Sequence, residues 1–312
     1  MSRPAVLLTR RIPSSAVATL EASCDVDRND GDQLSAAELK ARVADKEGIV
    51  CLFTDVISAD VMDAAPRLKV IANVAVGYNN IDLAAATARG IIVTNTPDVL
   101  TEATADLTWA LIMDITRRVS EGDRLIRRGA WKGWSFDFML GSGLSGKTLG
   151  IIGFGRIGQA VAARTVPFGV RVIYTDGRAV PGSGAIPLDR LLSSADIVSV
   201  HCPLTPQTRH LINQAALARM KRSAYLINTS RGPVVDEAAL AWALKNGIIS
   251  GAALDVYEEE PTVHPDLVTL ENVVLTPHLG SATTETRTAM ADLAVRNAVA
   301  VLTGQSPLTP VS

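Results

Sequence analysis

Open α/β sheets bind ligands beyond the carboxyl ends of their strands, so in a chain that alternates apolar runs with helical stretches the residues just after each run are where chemistry is expected. In this 312-residue sequence those positions are polar: Asp176, His201-Cys202-Pro203, Asn228-Thr229-Ser230-Arg231-Gly232, Asp255 and Thr276-Pro277-His278. Arg231 carries a planar fork that matches a carboxylate, or the carboxylate and carbonyl of a 2-oxo acid. Arginines more often cap a helix or pair with a surface acid, and it is the strand-end position that turns this one toward substrate. Of the four histidines, His278 follows a strand with Pro277 and Gly280-Ser281 to fix the backbone around it. Histidine is suited to hand a proton to a carbonyl oxygen as hydride arrives at the carbon. A neighbouring carboxylate would stabilise the imidazolium and select the tautomer. Glu258, Glu259 and Glu260 are equal candidates by spacing, and three consecutive acids also read as a solvated face. His201, in front of Cys202-Pro203, reads better as the wall of a cofactor pocket.

A cofactor is expected because of Gly153-x-Gly155-x-x-Gly158, which follows the apolar run 149–152 and opens a helical stretch at 159–164. In a strand–turn–helix setting the three glycines permit the turn, the approach of backbone to a pyrophosphate and close helix–strand packing, with the anion on the helix N-terminus. A second apolar run, 170–174, ends near Asp176, close to the ~20-residue spacing at which a carboxylate reaches the adenosine ribose hydroxyls. The motif alone is weak; this context makes it a dinucleotide site.

The elements that must hold these residues follow from the pattern of apolar runs. Residues 5–8, 49–53, 70–74 and 91–93 are apolar on both faces, as strands of a parallel sheet covered by helices are, and form a first small α/β domain. Runs at 149–152, 170–174, 196–200, 224–227, 251–254 and 273–275 supply six strands of a second, doubly wound domain. Between them, Leu107, Leu111 and Ile115 mark an amphipathic helix over 101–118. A last helix, 284–302, carries Met290, Leu293, Ala294, Ala298 and Val301 on one stripe and is expected to return to the first domain. The domains are thus placed at 1–97 with 284–312, and at 98–283. In the first, Asn73-Val-Ala-Val76-Gly77-Tyr-Asn79-Asn80-Ile-Asp82 reads equally as a capped strand-to-helix turn or as a turn whose Val76 and Gly77 amides hold a carboxylate.

Composition narrows the rest. Thirty basic against thirty-two acidic residues give a net charge of −2, no field for nucleic acid or anionic membrane. The basic clusters near 117–128 are interleaved with acids and read as a solvated helix face. The three cysteines are scattered without metal-ligand spacing, which points to reduced thiols, a cytoplasmic setting and no metal. No apolar run approaches the length of a membrane span. Trp131 and Trp134, in an aperiodic segment with Phe136 and Phe138, need a cover, and a second subunit is expected to provide it.

Taken together, residues 73–82, 146–158, 227–236, 251–261 and 275–281 resemble the D-isomer-specific 2-hydroxyacid dehydrogenases over nearly the full length. The resemblance implies a Rossmann NAD-binding domain, a flavodoxin-like substrate domain built from both chain ends, a cleft between them, and a homodimer joined through the nucleotide domain and an arm around residues 118–140. It implies that Arg231 binds substrate, that Glu260 pairs with His278, and that His278 is the acid/base. It further implies cofactor contacts from Thr104, Gly153, Gly155, Arg156, Ile157, Gly158, Asp176, Pro203, Thr208, Thr229, Ser230, Arg231, Asp255, His278 and Gly280, and substrate carboxylate contacts from Val76 and Gly77. Trp131, Trp134 and the 76–82 segment look most like glyoxylate and hydroxypyruvate reductases. NAD is favoured over NADP by Asp176, with Arg178 the residue that could instead meet a 2′-phosphate. Other 2-oxo acids, or a non-enzymatic NAD-sensing role on the same fold, are the alternatives.

Overall fold

A computed structural model describes residues 3–177 and 184–311. The chain divides into two compact units, Met1–Leu100 with Ala282–Ser312, and Thr101–Ser281.

The first unit holds a parallel five-stranded sheet of β1 (Ala5–Leu8), β2 (Asp25–Arg28), β3 (Gly48–Cys51), β4 (Val70–Asn73) and β5 (Ile92–Thr94), in the order β2-β1-β3-β4-β5. That is the flavodoxin-like order. The four apolar strands match the runs read from the sequence, and β3 and β4 are buried at every position. β2 has no counterpart among those runs. Its sequence, Asp-Val-Asp-Arg, has no apolar face, and it survives as a strand only because it lies at the sheet edge, where one side needs no cover. The last helix, Thr284–Leu302, packs on the helix Ser14–Ser23 and on β3 and β4 of this unit, as its stripe implied.

The second unit is a parallel six-stranded sheet of β6 (Thr148–Ile152), β7 (Arg171–Thr175), β8 (Ile197–Val200), β9 (Tyr225–Asn228), β10 (Gly251–Leu254) and β11 (Val273–Leu275), in the order β11-β10-β9-β8-β6-β7. The chain leaves β6 toward β7 on one side and returns to β8 on the other, so the switch point lies between β6 and β8. The helix Thr101–Arg117 covers β9 and β10 with Leu111, Ile112 and Ile115 buried. After a left-handed Arg118 (φ 58°) a second helix, Val119–Arg127, buries nothing and is laced by Arg118–Glu121 and Arg127–Asp123 pairs, with Arg124 reaching Glu271. The basic cluster is a solvated helix face.

Candidate active site

The glycine turn sits at the switch point. Gly153 has φ 92°, a conformation open to glycine, and a Cβ there would come within 2.6 Å of the Cys202 amide nitrogen. Gly155 caps the helix Arg156–Ala163, whose first-turn N–H groups face out of its N-terminus. A Cβ on Gly158 would lie 2.3 Å from the Gly153 carbonyl oxygen, so only glycine lets helix and turn close on each other. Asp176 follows β7, and one of its carboxylate oxygens accepts the Phe154 N–H at 2.8 Å, which ties the acid to the turn. Phe154 stacks on Tyr174 at 4.0 Å between ring centroids, further fixing both loops. Arg178 lies outside the described residues.

Beyond β8, burial pulls the His201 imidazole down to about 4, and its Nε2 lies 2.8 Å from Ser199 Oγ. A ring so shifted is poorly suited to donate a proton near neutrality. Burial also pushes the Cys202 thiol up to about 11, which leaves it inert. In the following loop Thr208 donates to the Pro203 carbonyl at 2.6 Å and fixes the 203–208 turn.

After β9, Asn228 organises the turn that presents Arg231. Its amide donates to the Arg231 carbonyl at 3.0 Å, and its oxygen accepts from the Ser230 amide and hydroxyl. Thr229 is buried against Thr108, their hydroxyls 2.9 Å apart. Among the described residues the Arg231 guanidinium makes one hydrogen bond, from Nη1 to the Ser230 carbonyl at 2.7 Å, and no ion pair. Burial pulls it below its usual value, opposed by the attraction of Glu260, and a guanidinium remains charged under such a shift. Four of its five N–H donors are therefore left for an anion.

The loops after β10 and β11 bring the acid and the histidine together. Glu260 Oε2 lies 2.8 Å from His278 Nδ1, while Oε1 accepts the Tyr257 N–H at 3.1 Å. The two side chains are 29% and 26% exposed. Burial alone would raise the Glu260 carboxyl; the hydrogen bond and charge of His278, the Tyr257 amide and Arg231 outweigh it and hold the carboxyl below its usual value. Glu258 and Glu259 lose the competition left open by spacing. Glu258 turns to His210 and to the Glu237 amide, and Glu259 faces solvent.

His278 has a left-handed backbone (φ 55°), an unfavourable conformation that needs support. Asp255 provides it from beneath: Oδ1 accepts the Thr276 hydroxyl and the Leu279 amide, Oδ2 accepts the Gly280 amide, and its carbonyl takes the His278 N–H. Asp255 is 1% exposed. Burial raises its carboxyl above the usual value against those hydrogen bonds, and the geometry gives it the work of holding the loop. Thr104 closes the same loop from the side, donating to the Gly280 carbonyl at 3.1 Å.

In the first unit the carbonyls that adjoin the Val76 and Gly77 amides are both anchored. The Ala75 carbonyl accepts the Thr96 N–H, and the Val76 carbonyl accepts the Asn95 side-chain amide at 2.8 Å. In a trans peptide the N–H points opposite to the C=O, so the amides of Val76 and Gly77 face away from those anchors. Among the described residues neither has an acceptor. Asn73 holds the Gly77 carbonyl, and the tail residue Thr309 holds Asn95 through both its backbone and its hydroxyl. The sequence places Asn73 and Asn228 only as members of their turns and gives Asn95 and Tyr257 no role, because supporting side chains carry no spacing signal of their own.

A glycine turn at a switch point with an acid after the next strand, together with a histidine–glutamate pair and an arginine beyond later strands of the same sheet, is the layout of a dinucleotide-dependent oxidoreductase. Comparison with known proteins agrees. The family profile described as D-isomer specific 2-hydroxyacid dehydrogenase, NAD binding domain, matches residues 109–280. The glyoxylate reductase of Thermofilum pendens is 50% identical over 319 residues, covering 98% of this chain and 94% of its own. A Thermus thermophilus protein of known structure superposes with a TM-score of 0.94 at 48% identity, over 99% of this chain and 100% of that one. An NADPH-dependent glyoxylate/hydroxypyruvate reductase from Sinorhizobium meliloti, crystallised with NADP and malonate, does so at 0.91 and 38% identity, over 100% and 97%. The chain belongs to the D-isomer specific 2-hydroxyacid dehydrogenase family. It is an oxidoreductase with a Rossmann-type NAD-binding domain.

Proposed function

We propose that this enzyme reduces glyoxylate and hydroxypyruvate, with His278 as proton donor, Glu260 as its partner and Arg231 and the Val76–Gly77 amides as the grip on the substrate carboxylate. The observation that carries the reading is the 2.8 Å bond between Glu260 and His278 Nδ1, which commits that nitrogen to the acid and, in this reading, gives proton donation to Nε2. The reduced dinucleotide, when bound, supplies the hydride. His278 gives its Nε2 proton to the carbonyl oxygen while the carbon gains the hydride, leaving a 2-hydroxy acid, oxidised cofactor and a neutral imidazole. The Glu260 carboxylate stabilises the imidazolium before the transfer. The kinship with glyoxylate reductases supports the substrate class. Steady-state oxidation of NADH with glyoxylate or hydroxypyruvate tests it: turnover is expected with both. Tight NADH binding without turnover on either acid, or on other 2-oxo acids, would make the protein a nucleotide-sensing binding protein instead.

For the cofactor, the carboxylate of Asp176, tied to the Phe154 amide, favours the ribose diol and repels a 2′-phosphate. Like-charge juxtaposition of this kind costs enough that kcat/KM for NADH is expected to exceed that for NADPH by at least about tenfold. The Sinorhizobium relative is NADPH-dependent, so equal or reversed preference here is the outcome that would discard the Asp176 reading.

We infer a homodimer from the aromatic arm. Trp131, Trp134, Phe136 and Leu140 are 54%, 80%, 86% and 65% exposed. Covering each contributes roughly 1.5 to 3 kcal/mol. Sedimentation at micromolar concentration is expected to give twice the monomer mass, and Trp134→Asp is expected to shift it toward the monomer.

A further inference from the structure

The loops that carry the proposed acid–base pair and the substrate arginine are joined through Glu258, a carboxylate of the Glu260 loop that is part of neither the pair nor the substrate grip. Its Oε1 accepts the Glu237 N–H at 3.0 Å, and Glu237 Oε1 in return accepts the Glu258 N–H at 2.6 Å. This locks the 257–260 loop to the segment that follows Arg231. Gly232 lies so close to the same loop that a Cβ would fall 1.8 Å from the Tyr257 carbonyl carbon. The other oxygen, Oε2, takes His210 Nε2 at 2.7 Å. His210 stands in a third loop, two residues past Thr208, in a left-handed backbone (φ 49°) held by its N–H on the Pro233 carbonyl. Among the described residues the other charged groups paired with this cluster are Asp236, 4.0 Å from Nδ1, and Arg209, 3.9 Å from the Glu258 carboxylate.

We propose that His210 is a positioning residue for the reduction: through Glu258 it clamps the 203–210 loop to the loops bearing Arg231 and Glu260, and so holds Glu260 in register with His278. The chain of contacts is short. Glu258 is adjacent to Tyr257, whose amide holds Glu260 Oε1, and Glu260 Oε2 meets His278. Removing the imidazole leaves a half-buried carboxylate oxygen without its close partner, and such an oxygen is satisfied by moving toward water. The loop that moves with it carries the partner of the proton donor. Glutamine at 210 can place an amide nitrogen near the position of Nε2, whereas alanine cannot.

The proposal rests on the assignment of His278 and Glu260 given above, so Glu260→Gln is measured alongside. In folded His210→Ala, with NADH affinity by fluorescence within about threefold of wild type, kcat/KM for glyoxylate reduction is expected to fall roughly 10- to 100-fold, the range set by a small misplacement of reacting groups. The basic limb of its pH profile is expected to move to lower pH, as in Glu260→Gln, and His210→Gln is expected to restore most of the rate and the limb. If Glu260→Gln shifts the limb and His210→Ala leaves both rate and limb unchanged, or loses rate that glutamine does not restore, His210 is not a positioning residue. If Glu260→Gln itself leaves the limb in place, the underlying assignment fails first.

Discussion

Replacement of His278 by alanine is expected to lower kcat for reduction of glyoxylate by about 10² to 10⁴ at every pH, the ordinary contribution of a positioned general acid. NADH binding is expected to persist, because the Gly153–Gly158 turn and Asp176 follow β6 and β7 at one edge of the sheet, whereas His278 follows β11 at the other. The left-handed backbone at 278 is relieved of no load by the change, since Asp255 holds it through main-chain groups. A variant that folds and binds NADH yet retains more than about a tenth of wild-type turnover would remove His278 from the role.

Arg231→Gln is expected to act through binding of the oxo acid as well as through turnover. Truncating one partner of a buried, hydrogen-bonded charge pair costs roughly 2 to 5 kcal/mol, about 30-fold to several thousand-fold in kcat/KM. Arg231→Lys keeps a charge but not the fork, so it is expected to recover only part of the loss. The Asn228 bonds that shape the turn run to the Arg231 carbonyl and to Ser230, so the backbone is expected to survive both changes. A kcat/KM within about threefold of wild type for Arg231→Gln would show that the carboxylate is held elsewhere.

Much of this architecture is legible in the chain because parallel strands are buried on both faces and write themselves as continuous apolar runs. Ten of the strand positions, the glycine turn and the returning last helix follow from that rule and from helical period. The edge strand Asp25–Arg28 does not, since its formation depends on pairing with β1 rather than on its own residues. At the site, Arg231 and His278 announce themselves by type and place, after strands. The choice of Glu260 among three adjacent acids does not follow from spacing; it is decided by which carboxylate the loop turns toward His278, and that depends on Glu258 being drawn away by His210 and Glu237. Asp255 illustrates the converse. Its place after β10 marks it as important, but only the three-dimensional contacts show that its oxygens hold the 276–280 loop.

The pH dependence of kcat/KM for NADH-driven glyoxylate reduction in Glu260→Gln tests most directly whether Glu260 is the charge partner of His278. In the proposed mechanism reduction requires the protonated imidazole, and the Glu260 carboxylate, whose carboxyl lies below its usual value, would favour that form. With glutamine the charge is gone and the hydrogen bond remains possible, so the basic limb is expected to move to lower pH while NADH affinity stays unchanged. A basic limb that stays where it is in the wild type, in folded protein that binds NADH, would contradict the assignment.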